Sequence, residues 1–251
     1  MFRKAKVSAL SLVISLFVLN TACKKESTGG VSGPQKLTTY TEDITAVGIG
    51  HVVEKFNVSY DGQGRITSVI SVNKPGHRYV YQYVNNNAFT YEHIEDNKVT
   101  LHRDYFIDGE LGMVDSVYQY NIMKDTIAFK YFYDSDNRLV KQKEYMHSYI
   151  LPPFVYNIIN YVYDINGTLT RKTESSAETT YRYDAEFLNT ARLEPDYIPA
   201  PEKLPTHTYS TRFNATKTIE HSYTFDDKKR LTSEKTVASD GRVMVKSYTY
   251  E

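Results

Sequence analysis

The 251-residue sequence has no tryptophan, a single cysteine and no net charge, because 30 lysine and arginine residues balance 30 aspartate and glutamate residues. The single cysteine leaves no partner for a disulfide within the chain. The balanced charge lacks the strong positive field of nucleic-acid-binding proteins, so we expect no nucleic-acid partner. Tyrosine, in contrast, is abundant, with 23 residues beside 11 phenylalanines, and it suits half-buried strands whose rings pack while the hydroxyls stay in water.

The chain also lacks the short motifs of several enzyme classes. It contains no Gly-x-Ser-x-Gly turn, no Gly-x4-Gly-Lys-Ser/Thr loop and no His-Glu-x-x-His pair. Its seven histidines are scattered, and we assign no cofactor, no metal site and no catalytic residue. His102 and Asp104 can share one face of a strand, and we interpret them as ordinary polar neighbours. Carboxylates are abundant, so a glycan-active hydrolase with a carboxylate pair stays open as an alternative.

The N terminus has the three parts of a signal peptide. A basic start is followed by a 13-residue apolar run that ends at Leu19, and the small residue Ala22 precedes Cys23. The run is shorter than the ~20 residues that span a bilayer, but it fits the core of a signal peptide. The segment before Cys23 resembles a lipobox, although Asn20 stands where an apolar residue is usual. The resemblance implies cleavage before Cys23 and its lipidation, which would anchor the chain to a membrane.

These features predict a division of the chain into three parts. Residues 1–22 are the expected lipoprotein signal peptide, residues 23–36 a flexible Gly- and Ser-rich tether, and residues 37–251 a single β domain. Cleavage removes three basic residues and leaves a formal charge of −3. We expect a location in the cell envelope, at the outer membrane, with the domain facing the periplasm or the cell surface.

From residue 37 onward, apolar and aromatic residues alternate with polar ones. Such alternation places one face of each strand on a core. Turn signals recur at spacings of roughly 8–12 residues, which favours consecutive hairpins. The pattern predicts an all-β protein, an antiparallel up-and-down meander of about sixteen short strands. Because an open sheet rarely exceeds ~10 strands, we expect it to curve into a half-barrel, a barrel or a two-layer sheet.

Four turns, which we call corners, share one sequence pattern at residues 60–67, 133–139, 163–170 and 225–232. An aromatic residue is followed by Asp, whose carboxylate can accept a backbone N–H two residues on. The fourth residue, counted from the Asp, requires a left-handed backbone, which Gly and Asn tolerate. Lys229 holds this place in the last corner, so we expect strain of ~1 kcal/mol or another geometry there. The turn-forming residues are Asp61, Gly64, Asp134, Asn137, Asp164, Gly167 and Asp226.

The corners resemble YD repeats, the tyrosine–aspartate hairpins of RHS-type shell proteins. Together with the lipobox-like N terminus, the chain is more similar to Bacteroidetes lipoproteins that carry a domain of unknown function with a porin-like fold. This resemblance covers about residues 37–250 and implies a large antiparallel meander. It supplies no catalytic residues, and the corners are too few for a shell that encloses a toxin.

The strand at residues 79–83 carries the candidate binding residues. Tyr79, Tyr81 and Tyr83 lie on one strand face and could form a platform that stacks on sugars or apolar ligands, or they could pack in the core. We therefore expect a non-enzymatic lipoprotein with a binding or structural role, and with a glycan or protein partner. The alternatives are a carrier of an apolar ligand in the curved sheet and the hydrolase named above.

Residues 185–205 interrupt the meander with four prolines. Proline removes donors from a sheet, so this segment is not a central strand. Residues 185–192 fit two helical turns. We interpret the segment either as a lid or partner-binding insertion or as a connection between two stretches of sheet.

Overall fold

The computed structural model describes residues 36–46, 50–120, 126–147, 152–191, 193–200 and 202–251. The expected signal peptide, Cys23 and the tether up to residue 35 lie outside these residues. Within the described ranges, no helix is long and apolar enough to cross a membrane.

The described residues form strands and no helix. The strands are β1 (Leu37–Ala46), β2 (Gly50–Tyr60), β3 (Ile66–Ser71), β4 (Arg78–Asn85), β5 (Ala88–Glu95), β6 (Lys98–Asp108), β7 (Met113–Tyr120), β8 (Thr126–Tyr133), β9 (Leu139–His147), β10 (Phe154–Tyr163), β11 (Leu169–Glu174), β12 (Ala177–Arg182), β13 (Phe187–Leu188), β14 (Lys203–Leu204), β15 (His207–Arg212), β16 (Ala215–Phe225), β17 (Leu231–Ala238) and β18 (Val243–Tyr250).

Sixteen of these strands form one closed antiparallel barrel in which chain neighbours are also sheet neighbours. The barrel closes because β1 pairs with β18 as well as with β2, for example through Tyr40 opposite Tyr248. β13 and β14 are not part of the barrel, so β12 pairs directly with β15. The predicted all-β meander of about sixteen strands is confirmed, and of the three forms that we left open the barrel is observed.

The up-and-down course gives the barrel two different ends. One end, which we call the corner end, carries all four corners, the start of β1 and the end of β18. The opposite end carries the tight turns within the hairpins, such as the one after β5 at Asp96 and Asn97. Both of these residues have positive φ angles.

The core lies inside the barrel, because the buried residues alternate with more exposed ones along strands such as β2, β4 and β10. Tyr40 stacks on Phe56 with ring centroids 4.7 Å apart, and Phe89 stacks on Tyr105 at 4.4 Å. Each of these side chains is under 7 % exposed, and the burial of one such side chain stabilises a fold by roughly 1.5–3 kcal/mol.

The connection between β12 and β15 folds into the corner end of the barrel. Leu193, Tyr197 and Ile198 pack against the inner core, and the backbone N–H of Val114 donates to the Tyr197 carbonyl at 3.0 Å. We call residues 193–199 the plug. The predicted helical turns at residues 185–192 are wrong, because Phe187–Leu188 instead pairs with Lys203–Leu204 as a small second sheet.

Candidate functional site

Each corner Asp accepts hydrogen bonds from backbone N–H groups of its own turn. Asp134 Oδ1 accepts the N–H groups of Asp136 and Arg138, both at 2.9 Å. The same pair of bonds, two and four residues on, recurs at Asp61, Asp164 and Asp226. The fourth corner residue has a positive φ in every case, at Gly64, Asn137, Gly167 and Lys229.

In three of the four corners, an arginine joins the corner to the next hairpin. Arg138 Nε donates to Asp134 Oδ2 at 2.7 Å, while its guanidinium lies 5.3 Å from the ring centre of Tyr163. Arg65 relates in the same way to Asp61 and Tyr83, and Arg230 to Asp226 and Tyr250. Both oxygens of these carboxylates therefore have structural partners.

A belt of tyrosine hydroxyls runs along the corner end. In this tyrosine belt, the hydroxyl at the corner end of one strand donates to a carbonyl at the start of its hairpin partner, over 2.6–3.0 Å. The tyrosine content led us to expect hydroxyls that stay in water, but these hydroxyls donate to backbone carbonyls. The belt consists of Tyr60, Tyr83, Tyr133, Tyr163, Tyr183, Tyr223 and Tyr250.

The predicted platform of Tyr79, Tyr81 and Tyr83 faces into the barrel. Tyr79 is 8 % exposed and Tyr81 is 6 % exposed. The Tyr81 hydroxyl donates to the Leu193 carbonyl of the plug at 3.5 Å, and Tyr83 belongs to the tyrosine belt. The structure therefore does not present these rings as a platform that is open to solvent, because the sheet and the plug cover them.

Three exposed rings lie together on the outside of β6 and β7, in addition to Phe154 and Tyr156 on β10. Phe106, Tyr118 and Tyr120 are 44 %, 37 % and 40 % exposed, whereas their strand neighbours Tyr105 and Val117 are buried inside. Phe106 contacts Tyr118 edge to face at 5.8 Å, and two histidine rings extend the cluster at 5.6 and 6.4 Å. We call this surface the outer aromatic face. It consists of His102, Phe106, Tyr118, Tyr120 and His147.

A polar network borders the outer aromatic face. His102 lies between two carboxylates, with Nδ1 3.2 Å from Glu92 and Nε2 2.9 Å from Asp104. All three side chains are about one-third exposed. Burial and the adjacent Asp104, which is hydrogen-bonded to the Tyr120 hydroxyl, raise the pKa of Tyr120. Rings and hydrogen-bonding groups thus meet on one stretch of paired strands.

A second polar cluster lies inside the barrel, near the end opposite the corners. His77, His93 and Glu95 place one possible ligand atom each within 4.8 Å of one another. Behind them, Glu54 Oε1 lies 2.8 Å from His77 Nδ1, and both side chains are buried. The sequence does not indicate this cluster. Its two histidines are separated by 16 positions and come together only when β4 pairs with β5.

Sequence reasoning missed the outer aromatic face for a similar reason. The spacing of His102 and Asp104 indicated a shared strand face, and the structure shows that they are in contact. Nothing in the sequence, however, fixed which face of β6 and β7 points outward. The face that points outward depends on how the barrel closes, and closure depends on residues far away in the chain.

Comparison with known proteins supports the fold alone. The sequence matches no protein-family model and no curated protein. The fold resembles that of a porin-like protein from Bacteroides uniformis, with a TM-score of 0.65, 13 % identity, and coverage of 88 % of this chain and 98 % of that one. It also resembles a porin-like protein from Bacteroides vulgatus, with a TM-score of 0.51, 15 % identity, and coverage of 86 % and 99 %. This chain therefore has a porin-like fold of the kind found in Bacteroides, as its sequence led us to expect.

Proposed function

We propose that the protein is a lipid-anchored cell-envelope protein that binds a glycan, without turnover, on its outer aromatic face. The observation that carries the proposal is the cluster of three exposed rings on two adjacent strands beside a Glu–His–Asp network. Exposed aromatic clusters on a soluble surface mark interaction sites.

The mixture of groups favours a sugar over a purely apolar partner. A lipid chain would cover the rings but would leave the carboxylates of Glu92 and Asp104 without water, which is costly. A sugar offers C–H faces for the rings and hydroxyls that donate to carboxylates. Because the rings stand on paired strands, little conformational freedom is lost when a ligand binds.

The interior offers less support for the alternative of an apolar-ligand carrier. Stacked rings and the plug pack together inside the corner half of the barrel. The corner carboxylates, which are the repeated acidic groups of the sequence, have structural partners. These two observations support a non-enzymatic role and leave the outer surface as the better binding site.

We further infer that the barrel lies outside the bilayer and is held there by lipid on Cys23. Lys141 and Lys143 of β9 flank Gln142, which is 9 % exposed and lines the interior, so the two lysines face outward. A barrel embedded in a membrane needs a continuous outward band of apolar residues. Outward lysines beside the outer aromatic face do not fit such a band.

Affinity electrophoresis tests the proposal. The chain without its signal peptide would be run through gels that contain soluble mannan, xylan or β-glucan. We expect at least one polysaccharide to retard the protein. In the double variant Tyr118→Ala, Tyr120→Ala we expect binding to weaken roughly tenfold or more, or about 1.4 kcal/mol, as for central aromatic residues of interfaces.

Phe213→Ala is the matched control, because this ring is 79 % exposed in the turn between β15 and β16. The control should bind as the parent does. Retardation by none of the polysaccharides, or equal retardation of all three proteins, would contradict the proposal. Binding of a protein but of no glycan would favour the other partner class.

A further inference from the structure

The geometry of the inner cluster points to a metal site that is separate from the outer aromatic face. We propose that His77, His93 and Glu95 bind one zinc ion inside the barrel. The ion would be held by the Nε2 atoms of the two imidazoles and one carboxylate oxygen, with a fourth position left for water.

The His93 ring can offer the lone pair of its Nε2 atom to a metal ion. Thr100 Oγ1 lies 3.1 Å from the His93 carbonyl and 3.2 Å from His93 Nδ1. When the hydroxyl donates to the carbonyl, it accepts from Nδ1, and Nε2 is left as an acceptor that can bind a metal. Nε2 is buried and has no hydrogen-bond partner among the described residues, a cost that a bound cation would remove.

His77 is held in the same tautomer. Glu54 can only accept when ionised, so the 2.8 Å contact requires a proton on His77 Nδ1. Nε2 then accepts from the Tyr79 hydroxyl at 3.2 Å, a weak bond that a metal would replace. A carboxylate behind a histidine is the arrangement that orients metal ligands and raises their basicity.

The spacing suits a small tetrahedral ion after a modest movement. His93 Nε2 and Glu95 Oε1 are 3.5 Å apart, close to the separation of two ligands that each lie about 2.0–2.2 Å from zinc. All separations in the set are 4.8 Å or less, so the three atoms can close on one zinc ion with a movement of about 1 Å. Two histidines and one carboxylate are a set that zinc accepts with an open fourth position.

The local charge also favours a cation. Glu95 belongs to the cluster and Glu54 lies behind it, and Lys74 faces Glu54 with its Nζ atom 4.0 Å away and its side chain 63 % exposed. On the barrel wall, Glu42 is paired with Lys246 at 3.4 Å. The buried Glu54 carboxylate therefore faces an exposed lysine only at the limit of ion-pair distance.

Calorimetric titration of the untagged protein with Zn²⁺ at neutral pH tests the site. We expect one ion per chain with a dissociation constant of roughly 1 µM or lower, together with a higher midpoint of thermal unfolding. His93→Gln and Glu95→Gln should each weaken binding by more than roughly tenfold, and Glu54→Gln by roughly 10–100-fold.

His51→Ala is the matched control, because His51 also contacts a carboxylate, Asp43, at 2.8 Å but is exposed. It should bind zinc as the parent does. Two-dimensional NMR of the imidazole nitrogens guards against misfolded variants, since zinc should shift the Nε2 resonances of His77 and His93 in the parent. An absence of one-to-one binding, binding unchanged in His93→Gln, or shifts confined to other histidines would overturn the proposal.

Discussion

At the scale of single residues, Lys229 shows that the corner geometry overrides residue preference. We expected strain or another geometry there, and Lys229 adopts a left-handed backbone with φ of +61°. Lys229→Gly should therefore raise the free energy of unfolding by about 1 kcal/mol in urea denaturation. The control Lys228→Gly, one position earlier, should not stabilise the barrel. If both variants lose stability equally, the strain argument is wrong.

The corner carboxylates predict how stability depends on pH. At Asp134, partial burial opposes ionisation, but hydrogen bonds from the Arg138 side chain and backbone outweigh it and lower the pKa. Because the folded-state pKa lies below that of the unfolded chain, the stabilisation is complete above about pH 4 and is lost as the pH falls further. Urea unfolding between neutral and acidic pH should show a smaller loss in Asp134→Asn than in the parent. An equal loss in both proteins would refute this role of Asp134.

At the scale of elements, the repeating unit is a hairpin closed by a tyrosine. Tyr163, at the end of β10, donates to the Leu139 carbonyl at the start of β9 over 2.9 Å. Tyr163→Phe removes this hydrogen bond and keeps the ring, and it should lower the free energy of unfolding by about 0.5–1.5 kcal/mol. Tyr118→Phe, on the exposed outer aromatic face, is the control and should change stability little. A result in which the two variants are equally stable would contradict a structural role for the belt.

The strands themselves could be predicted from the sequence, because alternation and turn chemistry are local signals. The corner at Asp134 was identified from its residues alone, and the observed hydrogen bonds are those that an Asp in a turn makes. The plug could not be predicted, because Ile198 is buried and Leu193 partly buried by contacts with strands about a hundred residues earlier. Phe187 has no periodic pattern around it, so its pairing with Leu204 was missed and a helix was expected.

At the scale of the whole molecule, closure decides which residues can bind. Once β1 pairs with β18, Tyr79 and Tyr81 face inward, while Tyr118 and Tyr120 face outward. A period-two pattern is the same on either face of a sheet, so the sequence indicated aromatic stripes but not which of them would be exposed. The histidine cluster was missed for the same reason, since His77 and His93 meet only inside the barrel.

The attachment of the molecule to the envelope gives a prediction at this scale. Cys23 lies outside the described residues, and its lipidation stays a prediction from the sequence. Cell fractionation should find the parent with the membranes after a high-salt wash, and Cys23→Ala in the soluble fraction. If the variant stays with the membranes as tightly as the parent, another element anchors the chain.

The central claim is that ligand binds outside the barrel and not within it. Hydroxyl-radical footprinting, with and without a polysaccharide that retards the protein, measures this directly at individual tyrosines. We predict that bound ligand slows the oxidation of Tyr118 and Tyr120 and leaves the oxidation of Tyr79 and Tyr81 unchanged. Protection of Tyr79 and Tyr81 with no protection of Tyr118 and Tyr120 would contradict the account.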